Sequence, residues 1–177
     1  MTRDGGRRGG SRDRGFNAPE LIGGNMRMKD KVAIITAAGS GIGEATALLF
    51  AEEGAKVVVA DIDPVGGEKA VEAICGKEGK ALFVEVDISK EESAEKITQE
   101  ILKAFGRGDI LANRAATFVH KGFDATMEDW RRSPGVNVIG TSMVTKYSRE
   151  DSSQLRLSGR DPDSCLLSTY GKVRNDL

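Results

Sequence analysis

A chain of 177 residues with 26 basic and 27 acidic side chains carries a net charge of −1, which presents no broad cationic face to nucleic acid or to an anionic membrane surface. Apolar residues make up 39% and charged residues 30%, the balance of one globular domain with a real core in a chain too short for two of ordinary size. No apolar run approaches the roughly 18 residues that span a bilayer, the N-terminus lacks the apolar core of a secretory leader, and a single histidine, His120, argues against a metal site or a Ser-His-Asp triad.

Residues 1–28 are rich in Gly and Arg and have no periodic apolar pattern, so a disordered extension is expected. Its six arginines make weak RNA contact conceivable, but Phe16 alone is available for stacking, and an inert tail with no nucleic-acid partner is the reading. From Lys31 onward, short apolar runs alternate with segments of helical period, the sign of β-α-β units and a parallel sheet. Strands are expected at Val32 to Thr36, Lys56 to Asp61, Ala81 to Asp87 and Asp109 to Ala115, each apolar enough to be covered on both faces.

Between the strands, Ile42 to Glu53 places Ile42, Ala45 and Leu49 on one stripe, and Ser89 to Phe105 does the same with Ala94, Ile97, Ile101 and Phe105. Ser89 with Glu92 predicts a capping box, and Thr126 with Asp129 a second one opening a helix that carries Trp130. A helix over Val65 to Glu78 is weakened by Gly66, Gly67 and Gly76. Pro134 lacks a backbone donor and predicts a kink, at about 3 kcal/mol in a helix interior, that would displace Asn137. Arg107-Gly108-Asp109 spells an adhesion tripeptide but precedes a buried strand, so chance is the reading. After Tyr147 the period fades, and within 148–177 only Cys165, Leu166 and Leu167 form a compact apolar run, a candidate fifth strand over Ser164 to Thr169. Cys75 and Cys165 lie 90 positions apart; with no export signal they read as reduced thiols, and a cytoplasmic location is expected.

The segment richest in chemistry is Val32-Ala33-Ile34-Ile35-Thr36-Ala37-Ala38-Gly39-Ser40-Gly41-Ile42-Gly43, a strand running into a glycine turn and then a helix. Glycines let backbone N–H groups approach a pyrophosphate at the positive end of a helix; an ordinary tight turn is the alternative. Eighteen residues past Gly43, Asp61 ends the second strand, where a carboxylate accepts hydrogen bonds from an adenosine ribose and repels a 2′-phosphate. A solvated strand-end acid or helix cap is the alternative for Asp61, and Asp63 is a substitute for it.

These residues resemble the short-chain dehydrogenase/reductase family, whose turn reads Thr-Gly-x-x-x-Gly-x-Gly; here Ala37 replaces the first glycine. Asp87 resembles the family's acid beside the adenine, and Asn113-Arg114-Ala115-Ala116 its Asn-Asn-Ala-Gly segment. Met127-Glu128-Asp129-Trp130 followed by Val136-Asn137-Val138 resembles the helix bearing its catalytic Asn. The resemblance implies a three-layer α/β, Rossmann-like doubly wound parallel sheet of strand order 3-2-1-4 with room for a fifth strand, incomplete on its C-terminal side. The dinucleotide-binding unit is then 29–147 and the divergent tail 148–177.

The implied cofactor is NAD, preferred over NADP because of Asp61. The implied cofactor-binding residues are Thr36, Gly39, Ser40, Gly41, Ile42, Gly43, Asp61, Ile62, Asp87, Ile88, Asn113 and Ala115. Catalytic positions implied by the resemblance are Asn137 and, more weakly, Ser168, on a small alcohol or carbonyl substrate; family analogy also allows a homo-oligomer. The family's Tyr-x-x-x-Lys pair, in which the ammonium lowers the phenol pKa, is not found: Tyr147 is followed by Asp151, and Tyr170 by Arg174 with Lys172 only two positions on. Arg114 and Ala116 are further departures. Two readings follow, an NAD-dependent oxidoreductase and a truncated dinucleotide-binding protein that performs no hydride transfer.

Overall fold

The computed structural model describes residues 26–150 and 165–168. Strands β1 (Val32–Thr36), β2 (Lys56–Asp61), β3 (Lys80–Glu85), β4 (Ile110–Asn113) and β5 (Cys165–Ser168) form one parallel sheet in the order β3-β2-β1-β4-β5. Helices α1 (Gly41–Glu52), α2 (Pro64–Cys75) and α3 (Glu91–Phe105) are the crossovers, and α4 (Met127–Pro134) continues through a π-helical turn, Gly135–Gly140, into α5 (Thr141–Glu150). The β1-α1-β2 and β2-α2-β3 units join neighbouring strands, whereas the α3 crossover returns the chain past β2 and sets β4 on the other side of β1, so the strand order reverses between β1 and β4.

Continuous apolar strands make sense here because both sheet faces are covered. Side chains alternate: Val32 and Ile34 pack with Val58, Leu111, Ile97 and Ile101 under α3 and α5, while Ala33 and Ile35 pack with Val57, Val59, Ala47 and Ile74 under α1 and α2. Burying each fully enclosed isoleucine or valine contributes roughly 1.5 to 3 kcal/mol. The edge strand β3 is less covered, and only Val84 on it is buried.

The first two strands coincide with the sequence expectation, β3 and β4 are shorter, and the apolar run at Cys165 does pair, beside β4. The stripe of α3 is as expected. That of α1 is not: Ile42 and Leu49 are exposed, and Gly43, Ala47 and Phe50 are the buried residues. The glycine sets the face, because a Cβ on Gly43 would lie 1.8 Å from the Ala37 carbonyl oxygen, so only a bare backbone lets the helix start lie against the turn. Gly67, expected to weaken α2, serves the same end, since a Cβ there would enter the Phe83 ring at 2.0 Å.

Two expectations about helix starts resolve differently. Thr126 and Asp129 form a reciprocal capping box on α4. Ser89 does not cap α3; the N-cap is Lys90, and the Ser89 hydroxyl donates to Asp87 instead. The kink expected at Pro134 is absent as a break. The missing donor is absorbed where the helix widens into the π turn, and Asn137 stays buried.

At the opposite end of the sheet, Asp109 is buried, accepting from the Val32 N–H at 2.8 Å and from the Arg107 guanidinium, so the Arg-Gly-Asp run is a structural clasp. Residues 1–25, and with them most of the expected extension, lie outside the described residues, as do Tyr170, Lys172 and Arg174. Arg27 and Met28 are held against the domain through Glu53.

Candidate functional site

The C-terminal ends of the strands open onto a cleft of about 590 Å³. On its floor, β1 runs into the glycine turn, where Ala37 adopts a left-handed φ of 52° and Gly41 one of 57°. Ala37 thus occupies the backbone conformation that its glycine counterpart would adopt without strain. Thr36 is fully buried beneath the turn, and its Oγ1 accepts from the Arg114 N–H at 2.9 Å and the Ala115 N–H at 3.0 Å, tying the loop after β4 to the end of β1.

Ser40 is the N-cap of α1 through its backbone alone; its hydroxyl makes no bond to the helix. The first-turn N–H groups of the helix therefore keep their donor capacity, which the helix dipole reinforces toward an anion. Ser40, Gly41 and Ile42 are exposed, and a Cβ on Gly41 would meet nothing within 4 Å, whereas Gly43 is sealed against Ala37. The turn is closed beneath and open above, which fits a pyrophosphate lying across it.

Asp61 ends β2 on the cleft wall. Its Oδ2 accepts from the Gly39 N–H at 2.7 Å and its Oδ1 from the Asp63 N–H at 2.9 Å, leaving lone pairs on each oxygen for ribose hydroxyls. Asp63 is instead the N-cap of α2, accepting from the Val65 N–H, so the two candidate acids have separate roles. Ile62 is 60% exposed beside the cleft, an apolar surface for a ligand to cover. Asp87 accepts from the Ser89 hydroxyl at 2.6 Å and from its N–H at 3.1 Å. The hydroxyl bond above all, then the backbone bond, Lys90 and Arg132, hold its carboxyl below the usual range against the opposing effect of burial. Ile88 follows on the same wall.

Ala115, Ala116 and Thr117 form the wall after β4. Asn137 braces it from behind, its Oδ1 accepting from the Thr117 N–H and its Nδ2 donating to the Thr117 carbonyl, both at 2.8 Å, with a third bond to Ser133 Oγ. Asn113 is buried and donates to Thr145 Oγ1 on α5 at 3.1 Å, away from the cleft lining. Ser168 stands in register beside Asn113 on β5.

Of the residues expected from sequence, Asp61, Ile62, Asp87, Ile88 and Ala115 come together on the cleft. Gly39 joins them through Asp61, and Thr36, Asn113 and Asn137 support the walls. Glu128, Arg131, Arg132, Gly135 and Val136 also line the cleft and were not expected there, although 128, 131, 132 and 135 have the spacing of one helix face. The family's general acid is not supplied by Tyr147, which packs α5 on α3 with its hydroxyl donating to Glu91 at 2.7 Å and does not line the cleft. Among the described residues no group of three or more His, Cys, Asp and Glu gathers as for a metal, and no helix is long and apolar enough to cross a membrane.

A parallel sheet flanked by helices, with a glycine turn and an acidic strand end beside a cleft, defines a Rossmann-like α/β fold of the dinucleotide-binding type. The short chain dehydrogenase model matches residues 31–151, and the chain belongs to that family. An uncharacterized oxidoreductase of Thermotoga maritima is 40% identical over 126 residues, 71% of this chain and 49% of its own length. A hydroxysteroid dehydrogenase structure from Escherichia coli superposes with a TM-score of 0.68 at 35% identity, over 73% of this chain and 55% of that one. A short chain dehydrogenase/reductase from Burkholderia phymatum in complex with NAD gives 0.69 at 27% identity, over 80% and 49%. The chain thus spans about half the length of the relatives it matches.

Proposed function

We propose that this chain binds NAD(H) in preference to NADP(H) and forms the cofactor half of an oxidoreductase acting on a small alcohol or carbonyl compound. The observation that carries the reading is Asp61, which lines the cleft and accepts the Gly39 N–H, joining a ribose-type acceptor to a pyrophosphate-type turn. The nicotinamide, when bound, accepts hydride from an alcohol carbon or returns it to a carbonyl. The chain's own residues bind and orient the cofactor: the start of α1 toward the pyrophosphate, Asp61 and Ile62 toward the ribose, Asp87 and Ile88 toward the adenine. In this proposal 29–147 is the dinucleotide-binding unit, and Asn137 and Ser168 are the residues nearest to a catalytic role. The free, exposed Cys75 thiol supports a reducing, cytoplasmic setting, and the exposed Phe123, Met127 and Trp130 support association of copies.

Titration with NADH, followed by its fluorescence, tests the site; absence of saturable binding below the millimolar range sinks the proposal. A second reading, binding without hydride transfer, is favoured by the absence of any Tyr or Lys from the cleft lining among the described residues. Reduction of NAD with any member of a panel of secondary alcohols would exclude it.

A further inference from the structure

We propose that Arg114 is a specificity-determining residue at the substrate end and holds a carboxylate, so that the compound reacting with the nicotinamide is an oxo acid or the corresponding hydroxy acid. This inference rests on the NAD(H) reading above and names a substrate class for it. The order of the strands fixes which end is which. Asp61 and Ile62 stand at the end of β2, and Asp87 and Ile88 follow β3, so the adenosine half lies over that side of the sheet. The start of α1 carries the pyrophosphate beyond the end of β1. In the order β3-β2-β1-β4-β5, the other half of a dinucleotide lying across the reversal point then reaches the ends of β4 and β5. Asn113 and Ser168 stand in register at those two ends, and Arg114 is the next residue of the chain after Asn113.

The backbone there is fixed from two sides. The Arg114 N–H donates to Thr36 Oγ1 at 2.9 Å and the Ala115 N–H to the same oxygen at 3.0 Å, which ties the residue to the end of β1. Its side chain is half-buried, and Nε is shielded from solvent without a hydrogen-bond partner. No carboxylate among the described residues pairs with this guanidinium. Arg27 and Arg107, by contrast, each close on an acid, Glu53 and Asp109. Arg114 also stands outside the lining of the adenosine cleft, although Ala115, Ala116 and Thr117 are part of it.

A shielded donor without an acceptor is costly, and a guanidinium is a planar fork whose spacing matches the two oxygens of a carboxylate. A carboxylate on the substrate supplies the opposite charge and the acceptors together. Gripping it also sets the neighbouring carbonyl or alcohol carbon at a fixed place beside the nicotinamide. The pyrophosphate is the other anion within the site, but the first-turn N–H groups of α1, which the Ser40 hydroxyl leaves free, already serve it. An uncharged alcohol or ketone gains nothing from Arg114.

The test titrates pyruvate, 2-oxobutyrate and acetoacetate, each beside its uncharged methyl ester, into the NADH-saturated full chain and into Arg114→Gln, followed by calorimetry. At least one acid is expected to bind wild type about tenfold or more tightly than its ester. Arg114→Gln should lose about tenfold for that acid and less than about threefold for the ester and for NADH. Equal losses for acid and ester, or no acid preferred over its ester in wild type, overturn the inference and leave the cofactor site standing. A loss of NADH affinity as large as that of the acid overturns it in favour of a contact with the pyrophosphate. Wild type that binds no NADH overturns the dinucleotide reading and this inference with it. Should Arg114→Gln fail to fold by circular dichroism, Arg114→Asn, which restores the Asn of the family's segment, carries the same comparison.

Discussion

The backbone N–H of Gly39 donates to Oδ2 of Asp61 across 2.7 Å, so the glycine turn and the acidic end of β2 are one unit although 22 residues separate them. A carboxylate that both recognises a ribose and fastens the turn has two measurable roles, and they can be separated. Asp61→Ala is expected to weaken NADH binding about tenfold, to weaken NADPH binding less, and to lower stability by about 1 kcal/mol, since a half-exposed charge-assisted bond is lost. Asp61→Asn keeps an acceptor for one N–H and should recover most of the stability but not the cofactor preference. Equal losses of NADH and NADPH affinity in the Ala variant would show that Asp61 serves only as the turn's fastening.

Ala37 sits at a φ of 52°, a conformation that costs an L-residue with a Cβ about 1 to 2 kcal/mol more than glycine. Glycine also loses more chain entropy on folding, so Ala37→Gly is expected to raise stability by a net of about 0.5 to 1 kcal/mol, seen as a higher urea midpoint at unchanged slope. Ala37→Val should move the midpoint the other way, because β-branching resists the left-handed region. A glycine variant no more stable than wild type would show that the turn stores no strain.

Asn137 pairs with both polar groups of the Thr117 backbone, and Thr117 lines the cleft. Removing the amide in Asn137→Ala leaves the part-buried Thr117 N–H without its partner and its carbonyl with the Ser133 hydroxyl alone, at 3.3 Å, a loss of about 1 to 3 kcal/mol. Weaker NADH binding should accompany that loss. Asn137→Asp keeps the acceptor but sets a carboxylate oxygen against the Thr117 carbonyl, so it should not rescue stability. The decisive readout is hydrogen exchange at the Thr117 amide: acceleration in the Ala variant is expected, and an unchanged rate would contradict a bracing role.

The cap of α4 is acid-sensitive. Lys121 chiefly, then the backbone and hydroxyl of Thr126, lower the Asp129 carboxyl to about 2. Because the folded value lies below the unfolded one, the cap's contribution is fully present above the unfolded value near 4 and is lost as pH falls toward about 2. Carboxyl chemical shifts should show Asp129 titrating near the lower figure, and Lys121→Met should move it up. A midpoint near 4 in wild type would mean the Lys121 pair does not form in solution.

Much of the fold was legible because its signals are local. A strand such as Val32–Thr36, apolar at every position, announces cover on both faces, and Ile97 and Ile101 mark the buried stripe of α3 by spacing alone. Ile42 and Leu49 misled for the same reason, being apolar at helical spacing yet exposed, because the approach of Gly43 to Ala37 rotates α1 to present Ala47 and Phe50 inward. Pro134 looked like a break because a missing donor is visible in sequence, whereas the π turn that absorbs it is not.

What the sequence by itself determined is the order of β-α-β units, the glycine turn and the acid at the end of β2, since each depends on residue type and short spacing. Only the tertiary structure decided that Asp61 rather than Asp63 faces the cleft, that Asn137 grips Thr117, and that Arg131 and Arg132 stand on the wall beside Asp87. The physical reason is range: propensity and period act within a helical turn, whereas the side of an element that meets a cleft is set by steric approach between segments distant in the chain.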